Sequence, residues 1–297
     1  MVESGAVRLV FEKVHGLGND FVLVDARGEG TTGGRGPVTP AGARFLCDRR
    51  RGVGADGVLT LLPPRIPGAA ARLHIYNADG SEAEMCGNGL RCAAQRLFMD
   101  RPGPLVVETD AGPRRCEARD GLVWTALGAP RVGPSEEIDV EGERIVGRPV
   151  SMGNPHFVLL LDPASAEASD VGMLRPSGLH PSVGEAALLQ QARRLGPKIE
   201  RHPRFAPDRT NVEFCELGPD ALRCVVWERG SGLTDACGTG AGAAAAAVIA
   251  DGRWPADRTL PVDLPGGRLW VERAGDAELA LVGPAECVYQ GELELPV

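Results

Sequence analysis

Short runs of β-branched and leucine-rich residues, interrupted by Gly, Pro, Asn and Asp, recur along the chain and predict strands near residues 8–12, 21–25, 57–62, 73–76, 105–109 and 122–127. The second half repeats the pattern near 156–161, 210–216, 222–228, 268–272 and 278–282. Between these runs, helical composition marks 41–49 and 187–195, together with two alanine-rich stretches that follow the sequences CGNG and CGTG. The Gly-rich segment 28–36 and the Pro-bounded segment 63–67 read as surface loops. Strands alternating with helices in both halves predict an α/β chain of two domains, in keeping with a length of 297 residues.

The halves also resemble one another at the level of motifs. Gly18-Asn19-Asp20-Phe21-Val22 is echoed by Gly153-Asn154-Pro155-His156-Phe157-Val158, and each leads into a strand-like run. Met85-Cys86-Gly87-Asn88-Gly89 is echoed by Ala236-Cys237-Gly238-Thr239-Gly240, and each leads into an alanine-rich helix. A polar residue stands nine positions before each cysteine, Asn77 in one half and Glu228 in the other, which predicts paired ligand-facing positions. Extra length in the second half, such as 164–196, accounts for the unequal spacing, and an internal duplication is the simplest reading.

Composition narrows the chemistry. A net charge of −8 argues against nucleic-acid or anionic-membrane partners and leaves a small molecule as the expected ligand. The longest apolar stretch, 243–250, is too short to span a bilayer, and the N-terminal sequence MVESGAVRLVFEKV lacks the basic-then-apolar pattern of a signal segment, so the cytoplasm is expected. Eight cysteines without CxxC spacing or a Cys/His cluster predict reduced thiols and no metal site. Lysine occurs only at positions 13 and 198, which leaves few candidates for a Schiff base, and no phosphate-loop signature follows the glycines. No cofactor is expected.

A cysteine just before a helix sits where unpaired N–H groups and the helix dipole favour its thiolate. The glycines at 87, 89, 238 and 240 let a ligand carboxylate approach the same backbone amides. Two such turns, one per half, suit stereoinversion: one thiolate takes a proton from an α-carbon while the opposite thiol delivers another. A buried structural role is the ordinary fate of an intracellular cysteine, and Cys47, Cys92, Cys116, Cys215, Cys224 and Cys287 are read that way. A hydrolytic Cys/His pair using His156 would leave the second matched cysteine unexplained, and a redox-sensing thiol protein is a further alternative.

Six segments, HGLGNDFVLVD (15–25), RRGVGADGV (50–58), YNADGSEAEMCGNGLRCAA (76–94), SMGNPHFV (151–158), RTNVEF (209–214) and ERGSGLTDACGTGAGAAAA (228–246), resemble the diaminopimelate epimerase family in content and order. The resemblance implies interconversion of LL- and meso-diaminopimelate on the route to lysine and peptidoglycan precursors, without a cofactor, by a homodimer. It implies an α/β (α+β) fold of two pseudosymmetric domains, each a mixed barrel-like β-sheet around a central helix. The domains would be 1–130, with a returning C-terminal strand in 284–297, and 131–283. It further implies Cys86 and Cys237 as the acid/base pair, with His156 and Glu228 assisting them. The backbone at Gly87, Asn88, Gly238 and Thr239 would hold the reacting carboxylate, and Asn19, Asn77, Asn154, Asn211 and Arg229 would recognise the rest of the substrate. Proline racemases and hydroxyproline epimerases, which carry histidine where this chain has Asn88, are the rival within the same fold. Gly57 stands where many members carry glutamine and Thr239 where serine is frequent; the segment 205–209 is one residue longer than usual.

Overall fold

The computed structural model describes residues 7–28, 36–161 and 184–295; residues 29–35 of the expected Gly-rich loop and 164–183 of the expected extra length lie outside the described residues. The chain divides into two compact units, Met1–Ala126 with Gly283–Val297, and Leu127–Val282.

The first unit holds strands β1 (Val7–Gly16), β2 (Asn19–Asp25), β3 (Gly57–Leu62), β4 (Ala71–Asn77), β5 (Leu105–Thr109), β6 (Gly112–Arg119) and β7 (Leu122–Gly128), with helices α1 (Pro40–Cys47) and α2 (Gly87–Asp100). Its sheet runs β1-β2-β3-β4-β5-β6-β7, antiparallel except for the parallel pairs β2/β3 and β4/β5, which are the two connections that carry helices. Leu90, Ala93, Ala94 and Leu97 of α2 share one core with Phe21, Leu23, Leu59, Leu61, Leu73 and Val107, so the sheet curls around this helix. The alternate residues Val22, Val24 and Val58 face the other way, onto Ala43 and Leu46 of α1. Burial on both faces is why β2 and β3 read as unbroken apolar runs.

The second unit contains β8 (Arg131–Val132), β9 (Glu136–Val140), β10 (Glu143–Ser151), β11 (Pro155–Leu161), β12 (Asn211–Leu217), β13 (Leu222–Glu228), β14 (Gly232–Thr234), β15 (Leu260–Leu264), β16 (Gly267–Arg273) and β17 (Leu279–Gly283). Helices α3 (Glu185–Glu200) and α4 (Gly238–Ala250) complete it. The order β10-β11-β12-β13-β15-β16-β17 repeats that of the first unit, with parallel pairs again at the helix-bearing connections, β11/β12 and β13/β15. Leu188, Ala192, Leu195 and Ile199 form the apolar stripe of α3 against Phe157, Leu159, Val212 and Phe214. Every residue of α4 from Gly238 to Val248 is buried, and the helix touches β10 to β13, β15 and β16. Each unit is therefore the mixed, barrel-like sheet around a central helix that the resemblance implied.

The final strand, β18 (Glu286–Leu295), pairs antiparallel with β1, so the chain ends in the unit where it began. Several strands escape the sequence reading. β6 has a single buried residue, β9 is mostly acidic, and β10 and β15 contain Pro149 and Pro261. Gly147 of β10 is required by packing, since a Cβ there would lie 2.5 Å from the Phe157 ring. No helix among the described residues is long and apolar enough to cross a membrane.

Candidate active site

Each unit builds a half-site at the start of its central helix. In the first, Cys86 is the N-cap of α2: its backbone is extended (φ −139°, ψ 118°) and its Sγ accepts from Gly89 N at 3.4 Å. A sulfur thus occupies the position that Ser, Thr or Asp oxygen usually takes at a helix start. Asn88, only 1% exposed, donates from Nδ2 to Asn19 Oδ1 (3.1 Å), while its Oδ1 accepts from Arg91 Nη2 (2.8 Å). Asn19 Nδ2 donates to Asp56 Oδ2 (3.0 Å). This directed chain, Arg91 to Asn88 to Asn19 to Asp56, fixes which end of each amide is nitrogen.

Asp56 is held in turn. Its backbone N–H donates to Asp20 Oδ1 (3.1 Å), and Arg49 bridges both carboxylates. Burial alone would raise the Asp20 carboxyl, but hydrogen bonds from Arg49 and Lys13 outweigh it and bring the pKa down to about 2. Asn77 lies at the exposed end of β4, where its amide donates to Ser81 Oγ (2.9 Å) instead of joining the Asn19–Asn88 chain. A Cβ on Gly57 would approach Tyr76 O to 2.7 Å, so no larger residue fits there without a shift of the backbone.

In the second half-site Cys237 is the N-cap of α4 (φ −125°, ψ 112°), and its Sγ accepts from Gly240 N at 3.3 Å. The Thr239 hydroxyl lies 3.5 Å from the same sulfur and accepts from Asn154 Nδ2 at 3.3 Å. Asn154 Oδ1 faces His156 Nε2 (3.0 Å), and His156 Nδ1 faces Glu213 Oε1 (2.6 Å) in a pair with no exposed side-chain surface. Both ring nitrogens of His156 are committed to Glu213 and Asn154, and the Asn154–Thr239 contact carries this chain toward Cys237. Glu228 does reach Cys237, and its Oε1 also accepts from Thr234 Oγ1 (2.6 Å).

Burial pushes the Cys237 thiol well up, the Glu228 and Glu213 carboxylates add to that, and hydrogen bonds from Thr239 and Gly240 oppose it. Burial likewise raises the carboxyls of Glu213 and Glu228, with His156 opposing in both cases. Asn211, 5% exposed, spends its side chain on backbone: Nδ2 donates to Pro155 O (3.0 Å) and Oδ1 accepts from Arg229 N (2.8 Å). That bracing leaves the Arg229 side chain at the surface, bonded to Asp208 O (2.7 Å). Among the described residues no cluster of His, Cys, Asp or Glu could hold a metal ion.

Strand register makes the two half-sites comparable residue by residue. Phe21 pairs with Gly57 as His156 pairs with Asn211, and two residues further Leu59 corresponds to Glu213. The helix starts agree: a Cβ on Gly89 would meet Leu59 at 2.8 Å, and one on Gly240 would meet Glu213 at 3.0 Å. The second unit is thus acidic and histidine-bearing where the first is apolar. Glu213 and the fully buried Arg91 are site residues that the sequence motifs do not single out; the signal is a charge placed among apolar neighbours, in VEF and GLRCAA.

The sequence profile described as diaminopimelate epimerase matches residues 11–130 and 149–288. This chain belongs to the diaminopimelate epimerase family. A member from Synechococcus sp. (strain JA-3-3Ab), named diaminopimelate epimerase, is 41% identical, the match covering 96% of this chain and 98% of the relative. Another so named, from Ectopseudomonas mendocina (strain ymp), is 39% identical over 97% of this chain and 99% of its own. Among solved structures, a hydroxyproline epimerase from Agrobacterium vitis superposes with a TM-score of 0.70 at 18% identity, covering 98% of this chain and 93% of that one. At that identity the likeness extends to the fold of the family and no further.

Proposed function

We propose that this chain is an isomerase that interconverts LL- and meso-diaminopimelate without a cofactor, in the cytoplasmic route to lysine and peptidoglycan precursors. The observation that carries the reading is the recurrence, in a diaminopimelate epimerase family member, of a cysteine N-cap on the central helix of each unit.

The reaction follows from the chemistry of those positions. The substrate α-carboxylate binds at the helix starts, through amides at Gly87, Asn88, Gly238 and Thr239, where the helix dipoles favour an anion. One thiolate removes the α-proton, and the electron pair moves into the carboxylate, whose growing charge the same amides stabilise. The opposite thiol then protonates the carbanion on its other face. One C–H bond breaks and one forms, and the thiolate has moved from one cysteine to the other. Asn19, Asn77 and Asn154 orient the amino and carboxylate groups, Asn211 braces the backbone of Arg229, and Arg229 recognises the distal carboxylate as a bidentate donor. Glu228 and the Glu213–His156–Asn154–Thr239 chain set the Cys237 thiol. A homodimer is the proposed assembly.

Incubation with LL-diaminopimelate in deuterated water tests this: α-deuterium should appear in the meso product, and Cys86→Ser and Cys237→Ser should each lower turnover by about 10²-fold or more while remaining folded. Exchange into proline or hydroxyproline alone would transfer the protein to that substrate class. Undiminished turnover in either variant would end the two-thiol mechanism.

A further inference from the structure

Arg91 is a cation with no exposed surface and no carboxylate partner among the described residues. Its hydrogen bonds go to Asn88 Oδ1 (2.8 Å), Pro284 O (3.2 Å) and Gly87 O (3.5 Å), and it lies under Gly16, where a Cβ would meet Nη2 at 2.8 Å. It therefore ties the start of α2 to the β1–β2 turn and to the segment entering β18. Burying a guanidinium without an anion is costly, and arginine does not escape that cost by giving up its proton. Along α2 this charge stands beside two thiols: Cys92 is the next residue, and Cys86 is the N-cap adjoining Gly87, whose carbonyl Arg91 binds. Cys92 is enclosed in the apolar core, and burial pushes its thiol up to about 12. Cys86 is half-buried and already accepts from Gly89 N–H.

The second unit supplies an internal control. The residue five positions beyond Cys237 is Gly242, so the second unit has no cation in the place of Arg91. Cys237 instead faces two carboxylates, Glu228 and Glu213, with His156 as the basic group against them among the described residues. Around the first half-site the acidic groups on neighbouring segments are engaged or solvated. Asp56 and Asp20 are bridged by Arg49, Lys13 holds Asp20, His15 lies 3.9 Å from Glu286, Glu82 is exposed opposite His74, and Glu84 is exposed.

Building on the two-thiol reading, we propose that Arg91 is a positioning residue whose buried charge makes Cys86 the thiolate and leaves Cys237 the thiol in the resting enzyme. The free enzyme is then poised to take a proton at Cys86 and deliver one from Cys237, and each such turnover leaves the charge on the less favoured sulfur until a proton returns. Burial brings the Arg91 pKa down to about 10, so it stays charged at neutral pH.

The test is the ¹³Cβ shift of labelled cysteine in the full-length protein, titrated with pH and assigned with Cys86→Ser and Cys237→Ser. Cys86 should ionise at least about one pH unit, or tenfold in ionisation constant, below Cys237. Arg91→Gln should raise the Cys86 midpoint by a similar amount and leave Cys237 in place, while Arg91→Lys should restore most of the shift. Should Arg91→Gln fail to fold, the order of the two midpoints in the unaltered protein still decides. Coincident or reversed midpoints, or a Cys86 midpoint indifferent to Arg91→Gln, would overturn the proposal even if diaminopimelate is turned over. Absence of turnover with the midpoints in the stated order would overturn the function and leave the ionisation order standing.

Discussion

At the scale of single residues, much of the half-site chemistry rests on groups that never face a ligand directly. Asp20 is an example, held by Lys13 at 2.6 Å and by Arg49 at 2.8 Å while its Oδ1 receives the Asp56 backbone N–H. Its pKa of about 2 in the fold lies below the ordinary value of 3.8, so the unfolded chain binds the proton more readily. Its contribution to stability is therefore complete above pH about 4 and disappears as the pH falls toward 2. Asp20→Asn should lower the melting temperature at pH 7, and the gap from the parent should close in thermal scans carried down through that window. A gap that stays constant across the acid range would show that the ion pairs contribute nothing. The cysteines, Asn19 and Asn154 were legible in the sequence because they sit in repeated motifs. Glu213 was not, because a carboxylate on an inward-facing strand position breaks the apolar pattern without announcing its partner, and His156 lies 57 residues away in sequence.

At the scale of elements, the central helices were legible through their Cys-Gly-x-Gly starts and alanine-rich bodies, and the two-sided strands β2, β3, β11 and β12 through their continuous apolar runs. Strands that lie half in solvent or carry proline gave no such signal, which is why β6, β10 and β15 appear only in the structure. The glycines of the helix starts have a second meaning that composition does not reveal. Gly240 is inside α4, where alanine would ordinarily gain about 1 kcal/mol in helix propensity. Here a Cβ would lie 3.0 Å from Glu213 Oε1, 3.1 Å from Val226 and 3.2 Å from Cys237 Sγ, all within a buried site with little room to yield. Gly240→Ala should therefore stay folded, with circular dichroism and melting close to the parent, while kcat for epimerisation falls by about tenfold or more as the sulfur is pushed off its position. A variant with full activity would mean that the sulfur has more freedom than the packing allows.

At the scale of the whole molecule, neither the repeat nor the family resemblance reveals what covers the last strand. β18 pairs with β1 on one side, and among the described residues no strand pairs with its other edge. Such an edge invites association unless something protects it. The register slips between Lys13 and Val14, where Tyr289 and Cys287 are the partners, and Val288 is left as the extra residue of a bulge. Val288 is 56% exposed and Tyr289 46%, with Cys287 exposed beside them. Tyr289 packs its ring edge-on against Phe11 at 6.1 Å, which holds the patch in a fixed shape. A fixed apolar patch on a strand edge is better covered than solvated, and a second copy of the chain is the occupant consistent with the proposed homodimer. Paired substitution of Val288→Asp and Tyr289→Asp places two like charges on that face without removing any residue of the buried cores. Sedimentation should then show the parent as a dimer at micromolar concentration and the variant shifted to monomer, with secondary structure preserved by circular dichroism. A parent that sediments as a monomer, or a variant that remains dimeric, would mean that β18 is not the surface through which this protein assembles.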